Sequence, residues 1–269
     1  MSEPRFERLL ITGAAGALGG TLRRRLGTLC RTLRVTDRAD LGAAADNEEA
    51  IRADFADHDA VDALVAGCDA VIHFAGIMRE DWDGILGANI VGLYNLYEAA
   101  RRHGVKRIVY ASSNHATGFY GTDQVISPSD PVRPDTLYGL SKTWGENIAR
   151  LYFDRYAIET ACLRIGSAFA EPRDLRMLAT WLSYDDLERL VRACLIAPKV
   201  GHTIIYGMSR NSRRFWDNTS AGHIGYAPQD SADDYREALE ARLPPLDPTE
   251  DGAVYQGGPF VRAKPPRAV

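Results

Sequence analysis

At 269 residues the chain is long enough for one α/β domain with a large core, or for such a domain carrying a small second region. A net charge of -4, no basic block and 45% hydrophobic residues describe a globular chain with no footprint for nucleic acid or an anionic membrane. Cys30, Cys68, Cys162 and Cys194 are scattered without metal-ligand spacing, Met1 to Arg8 lacks the apolar core of a signal peptide, and the apolar stretch 85–97 is too short to span a bilayer; the expectation is a reduced, cytoplasmic protein without a metal site.

In chain order, Arg5 to Ile11 reads as a first strand, followed by Thr12-Gly13-Ala14-Ala15-Gly16-Ala17-Leu18-Gly19 and a helix with Leu18, Leu22 and Leu26 on one side. Strand, glycine loop and helix are the context of a dinucleotide fingerprint: Gly13 for the tight turn, Gly16 for backbone approach to a pyrophosphate at the helix N-terminus, Gly19 for close packing. An ordinary turn could use the same glycines. The outer face with Arg23, Arg24 and Arg25 reads as solvated. Leu33 to Asp37 is a second strand ending in an acid about 20 residues beyond the loop, where a carboxylate accepts from both ribose hydroxyls and repels a 2′-phosphate. That favours NAD over NADP, with Arg38 as the opposing signal; Asp37 as a turn residue is the plainer alternative.

Ala43 to Glu49 reads as loop and Ile51 to Phe55 as a short strand. Asp54 either receives an adenine amino group or caps the amphipathic helix 57–65. Asp69 to Phe74 is a strand with His73 a core histidine, ending in the small pair Ala75-Gly76, against which a cofactor can lie. A helix runs from Asn89 to about Arg102 with Gly104 as C-cap, and Arg107 to Ser112 is the next strand. Further elements are a helix through Thr143 to Phe153, a strand 158–165, a helix from Ser183 to about Ile196 with a capping-box-like start, a strand 203–207 and a last helix to Arg242. The proline-rich tail reads as wrapping a neighbour or staying mobile. Alternating strands and helices predict an α/β fold: a doubly wound parallel sheet of Rossmann type with a small C-terminal substrate-binding region. Residues 1–157 are expected to be mainly cofactor-binding, and 158–269 to complete the sheet and supply the substrate region.

The chemistry falls where ligands bind such sheets, at the carboxyl edge of the strands. Ser112-Ser113-Asn114-His115 ends one strand, and Tyr138 and Lys142 lie four apart on one helix face. A tyrosine with an ordinary pKa of about 10 needs roughly 4 kcal/mol of differential interaction to act as a base near neutrality, which a nearby ammonium helps supply. Tyr138 could then take the proton of a substrate hydroxyl while hydride leaves the same carbon, with Ser113 holding the oxygen. Tyr-x-x-x-Lys also occurs as a plain surface pair. In the loop after Ile165, Arg173 and Arg176 form either an anion clamp, a guanidinium matching a carboxylate, or ordinary ion pairs with Glu171 and Asp174.

From Leu9 to about Leu239 the chain resembles the extended short-chain dehydrogenase/reductase family, on Thr12-Gly13-x-x-Gly16-x-x-Gly19, Asp37, Asp54, Asn89, Ser113, Tyr138-x-x-x-Lys142 and Ile224-Gly225-Tyr226-x-Pro228-x-Asp230. The resemblance implies Ser113, Tyr138 and Lys142 as catalytic residues. It implies an NAD site of Gly13, Gly16, Leu18, Gly19, Asp37, Asp54, Phe55, Ala75, Asn89, Tyr138 and Lys142, and a homo-oligomer. Within that family, Ala111 to His115, Leu137 to Lys142, Arg164 to Ser167, Glu171-Pro172-x-x-x-Arg176-Met177, Trp216-Asp217-Asn218 and Gln256-Gly257-Gly258-x-Phe260-Val261 are similar to the uronate-oxidising branch. That likeness implies a sugar-acid substrate oxidised at C1, its carboxylate on Arg176, its hydroxyls near Ser113, Asn114, His115, Tyr138 and Ser167, and Phe260 closing the site. Met78 stands where the likeness implies a substrate-touching serine, and a thioether cannot donate that hydrogen bond. An NAD-retaining sugar epimerase or dehydratase and a non-catalytic NAD sensor share the scaffold; the intact Ser113, Tyr138 and Lys142 argue against the sensor.

Overall fold

The computed structural model describes residues 3–262, and in it Leu9, Leu10 and Ile11 are wholly buried at the middle of a sheet. The strands in chain order are β1 (Phe6–Thr12), β2 (Cys30–Asp37), β3 (Glu48–Arg52), β4 (Ala70–His73), β5 (Arg107–Ser113), β6 (Glu159–Ile165), the short β7 (Ser167–Ala168) and β8 (Trp181–Leu182), and β9 (His202–Gly207). Seven of them form one sheet in the order β3-β2-β1-β4-β5-β6-β9, every pair parallel, and β7 and β8 form a two-stranded ladder beside it. Near-continuous apolar strands follow from burial on both faces. Helices α1 (Ala17–Leu26) and α7 (Tyr184–Ile196) cover one face through Leu22, Leu26, Leu187, Leu190 and Val191. The other face carries α2 (His58–Val65), the single turn α3 (Trp82–Gly84), α4 (Gly92–His103) and α5 (Leu137–Tyr156), with Val61, Leu96, Tyr97, Ile148 and Tyr152 inward. This is the predicted doubly wound architecture, and its strand order reverses between β1 and β4, where such sheets open a crevice.

Several boundaries differ from the sequence reading. β2 begins three residues early, at Cys30. The strand expected at 51–55 lies at Glu48–Arg52, starting in what reads as loop, paired from Leu33↔Glu48 to Asp37↔Arg52. As an edge strand its side chains are partly or fully exposed, so it leaves no apolar pattern to read. The helix expected from Asn89 begins at Trp82 and passes through a π-helical stretch, Ile85–Val91, before α4. Its wider turn is closed by the Gly92 N–H donating to the Gly87 carbonyl, and Asn89 lies buried within it. The Arg23-Arg24-Arg25 face is not merely solvated. Arg23 donates to Glu48 Oε2 at 2.7 Å and to the Leu41 carbonyl, and Arg25 pairs with Asp185 and Glu188.

The last helix divides into a 3₁₀ turn at 232–235 and α8 (Arg236–Arg242), after a single turn, α6 (Met177–Thr180), that the sequence reading misses. Over its described length the tail packs against its own chain rather than standing free. Beyond α9 (Asp251–Val254), Gln256 is wholly buried, its N–H donating to Tyr120 O at 2.9 Å and its side chain accepting from Trp216 Nε1 at 2.9 Å. Residues 263–269 of that tail lie outside the described residues. Among the described residues no helix is long and apolar enough to cross a membrane.

Candidate active site

The glycine loop is shaped by close approach. Gly13 has φ +70°, and a Cβ there would lie 2.6 Å from the Phe74 carbonyl carbon. A Cβ on Gly19 would fall onto the Gly13 carbonyl oxygen, and one on Gly16 would stand 3.2 Å from the same atom. Thr12 Oγ1 accepts from the N–H groups of Phe74 (3.2 Å) and Ala75 (3.1 Å), tying the loop to the end of β4. The same hydroxyl meets His73 Nδ1 at 2.9 Å, and burial pushes His73 down to about 3. His73 is thus a neutral core histidine, as expected.

A cavity of about 250 Å³ beside this loop is lined by Gly13, Gly16, Asp37, Arg38, Asp54, Phe55 and Ala75. The Asp37 carboxylate accepts from Ala15 N (3.1 Å) and Ala39 N (3.0 Å), so it shapes the turn and also faces the cavity. Asp54 accepts from Ala56 N; the cap of α2 is Asp57, which accepts from Asp59 N and Ala60 N. Arg38 reaches toward Asp54, Nη1 to Oδ2 at 3.8 Å, with both side chains about half exposed. Asn89 lines neither this cavity nor the next. Its amide grips Ile77 at both N–H (2.7 Å) and carbonyl (2.9 Å) and donates to Ser141 Oγ at 2.9 Å, directly behind Gly76 of the cavity wall.

A second cavity of about 400 Å³ shares Gly13, Gly16 and Gly76 with the first and continues along the carboxyl edge of the sheet. Leu18 and Gly19 border it, and Met78, Ser113, Asn114, His115, Tyr138, Lys142, Ser167, Arg176 and Phe260 line it: every residue expected to touch substrate. Tyr138 and Lys142 are one turn apart on α5. The Lys142 ammonium donates to the Ala111 carbonyl at 2.7 Å and stands 5.4 Å from the Tyr138 ring centre. Burial pushes Tyr138 up to about 12, against a hydrogen bond with Ser113 that pulls it down, and Asp135 pushes it up further. Burial pushes Lys142 down to about 8. Burial thus outweighs the Ser113 hydrogen bond at the phenol, and the ammonium is directed at a main-chain oxygen.

Asp135, missed by the sequence reading, accepts from His115 Nδ1 at 2.8 Å with its side chain wholly buried. A Cβ on Gly118 or Gly257 would fall on this carboxylate. The pair fixes the ring, which packs 4.6 Å from Phe260 and 5.9 Å from Tyr138. An acid ahead of a predicted helix reads as a cap, and nothing in the spacing from 115 to 135 marks the pairing. Behind Ser113, the buried pair Glu146–Arg164 makes two hydrogen bonds of 2.9 Å and takes a third from Ser112 Oγ at 2.6 Å. Of the two candidate clamp arginines only Arg176 borders the cavity; Arg173 stacks over Phe169, 4.1 Å from its ring centre. Arg176 donates to Ser167 Oγ (3.4 Å) and to the Gln256 carbonyl, and among the described residues it has no carboxylate partner. Its Nε and the Asn114 amide nitrogen are buried without a hydrogen-bond partner.

The comparisons with known proteins agree with this geometry. The chain is 52% identical to a uronate dehydrogenase of Pseudomonas putida over 98% of this chain and 99% of that one. It superposes with a TM-score of 0.95 on a glucuronic acid dehydrogenase from Chromohalobacter salexigens (49% identity; 98% of this chain, 100% of that one). It also superposes, again at 0.95, on a mutant uronate dehydrogenase from Agrobacterium tumefaciens complexed with NAD (46% identity; 97% and 99%). Residues 9–188 match the model of the NAD dependent epimerase/dehydratase family, and the chain belongs to that family.

Proposed function

We propose that the protein oxidises a hexuronate, galacturonate or glucuronate, at C1 to the aldarolactone, with NAD as hydride acceptor. The observation that carries this reading is one continuous cavity. It places Ser113, Tyr138 and Lys142 beside the glycine loop, and the unpaired Arg176 guanidinium on the same wall. The 46–52% identical relatives named for uronate or glucuronic acid oxidation support it.

The residues present fit NAD. Gly13 and Gly19 leave no room for side chains where the loop meets β4 and its own carbonyl, and Asp37 brings a carboxylate rather than a cation to the ribose end. Gly16, Leu18, Phe55 and Ala75 would line the dinucleotide, and Lys142 would reach its nicotinamide ribose. Bound NAD supplies an electrophilic carbon that takes the hydride from C1. Tyr138 Oη takes the C1 hydroxyl proton while Ser113 Oγ holds that oxygen. Burial keeps the phenol protonated, so its work as a base depends on positive charge beside it, of which Lys142 is the chain's own source. Arg176 pairs with the sugar carboxylate, Asn114, Ser167 and the His115 ring held by Asp135 meet hydroxyls, and Met78 and Phe260 supply apolar walls.

On this reading residues 1–157 mainly bind NAD, and 158–269 complete the sheet and supply the substrate side. A homo-oligomer and a cytoplasmic setting go with it, the latter in keeping with four free cysteines. Tyr138→Phe tests the mechanism. Turnover is expected to fall at least about a thousandfold while NAD affinity, followed by fluorescence titration, changes less than about threefold. Turnover undiminished without the phenol would remove Tyr138 as the base.

A further inference from the structure

Helix α5 carries Tyr138 on its first turn, and the first N–H groups of any helix lack partners within it. Thr136 caps α5 locally, its hydroxyl accepting from Gly139 N at 2.9 Å. The two donors ahead of that are taken from far away in the chain. Glu80 Oε2 accepts from Leu137 N and Glu80 Oε1 from Tyr138 N, both at 3.1 Å, across sequence separations of 57 and 58 residues.

Glu80 belongs to the loop between β4 and α3, which carries Met78 onto the cavity wall. The other end of that loop is held at Ile77 by Asn89, whose amide also donates to Ser141 Oγ. Ser141 Oγ in turn donates to the Tyr138 carbonyl at 2.7 Å. The loop therefore reaches both ends of Tyr138's main chain: its N–H through Glu80 and its carbonyl through Asn89 and Ser141. Met78, 60% exposed, is strung between the two attachments.

We propose that Glu80 is a positioning residue for this reaction: its carboxylate fastens the Met78 loop to the first turn of α5 and sets Tyr138 and the substrate wall at a fixed distance from each other. The inference rests on the reading of Tyr138 as the base. A one-ångström drift between base and substrate is costly in rate, and a fork using both carboxylate oxygens resists that drift better than a single bond. Glu80 also places a negative charge at the positive end of α5, which favours the protonated phenol. The other groups facing Tyr138 are Lys142 on its own helix, Ser113 at the end of β5, His115 just after it, Asp135 before α5, and Arg176 on the same cavity wall; replacing Glu80 leaves all of these in place.

The test compares Glu80→Gln, Glu80→Asp and Asp57→Ala in initial-rate kinetics with galacturonate or glucuronate, using the full chain. Glu80→Gln is expected to lower kcat about tenfold and raise the uronate KM several-fold, with the KM for NAD unchanged within about twofold. The acid limb of its kcat profile is expected to move about half a pH unit toward acid. Glu80→Asp keeps the charge but retracts it, so the limb returns to the wild-type position while the uronate KM stays raised. Asp57→Ala removes the cap of α2, a residue that borders neither cavity, so it lowers Tm and moves neither the uronate KM nor the limb. If Glu80→Gln only lowers Tm, as Asp57→Ala does, or moves the KM for NAD as much as that for uronate, the proposal is overturned. Should Glu80→Gln fail to fold, Glu80→Asp decides: a wild-type uronate KM and kcat overturn the proposal. Tyr138→Phe measured alongside separates the two claims, since its undiminished turnover would remove the base while leaving any Glu80 effect on uronate KM to be read by itself.

Discussion

Lys142 is 4% exposed, and its hydrogen bond goes to the Ala111 carbonyl, so the site holds an ammonium where water does not reach it. Burial lowers its pKa to about 8 from an ordinary 10.5. The folded protein sheds this proton before the unfolded chain does, so the stability contribution of Lys142 rises with pH from about 8 to 10.5. The penalty below pH 8 is on the order of 3 kcal/mol. Wild-type Tm should therefore gain on that of Lys142→Met between pH 7 and pH 10 in parallel thermal melts; a gap independent of pH would show that the ammonium is not desolvated. Single residues were the most legible part of the site. Ser113, Tyr138, Lys142, His115 and Arg176 were identifiable because each side chain has a chemistry of its own at a strand end, on one helix face or in one loop. Asp135 and Glu80 were not, because each acts on a partner far away in sequence, through contacts that only the fold creates.

At the scale of elements, the glycine loop was read correctly in place, while the reason for Gly19 lies in the loop itself. Its missing Cβ makes room for the Gly13 carbonyl rather than for a neighbouring strand. Gly19→Ala pushes a methyl into that backbone oxygen, and such overpacking costs about 1–3 kcal/mol. Gly104→Ala, at φ +73° with nothing within 4 Å of the added carbon, should cost about 1 kcal/mol through backbone strain alone. Both variants should melt earlier, but only Gly19→Ala should weaken NAD binding. Equal NAD affinity in the two would contradict the role given to the loop. The elements that escaped the sequence reading share a physical cause. β3 is exposed at the edge and keeps no alternation, and the π-helical stretch ahead of α4 breaks the 3.6-residue period just where Asn89 is turned inward.

Across the whole molecule, the alternation of apolar strands with amphipathic helices was enough to specify a doubly wound parallel sheet, because burial on both faces leaves a strong periodic signal. The tail was not legible. Gln256 is polar and lies in a proline-rich segment, yet it is wholly buried against Trp216 and the 120–124 loop, bringing Phe260 over His115. The 400 Å³ cavity is thus assembled from strand ends, the start of α5, the loop holding Arg176 and the C-terminal segment, and no one stretch of sequence contains it. What the assembly is for is tested most directly by following NADH formation from NAD with galacturonate, glucuronate, galactose and glucose. Turnover with the two uronates and none with the neutral hexoses is the predicted result. Equal turnover on the neutral sugars would contradict Arg176 as the carboxylate anchor, and no NADH from any of the four, with NAD bound, would contradict the dehydrogenase itself.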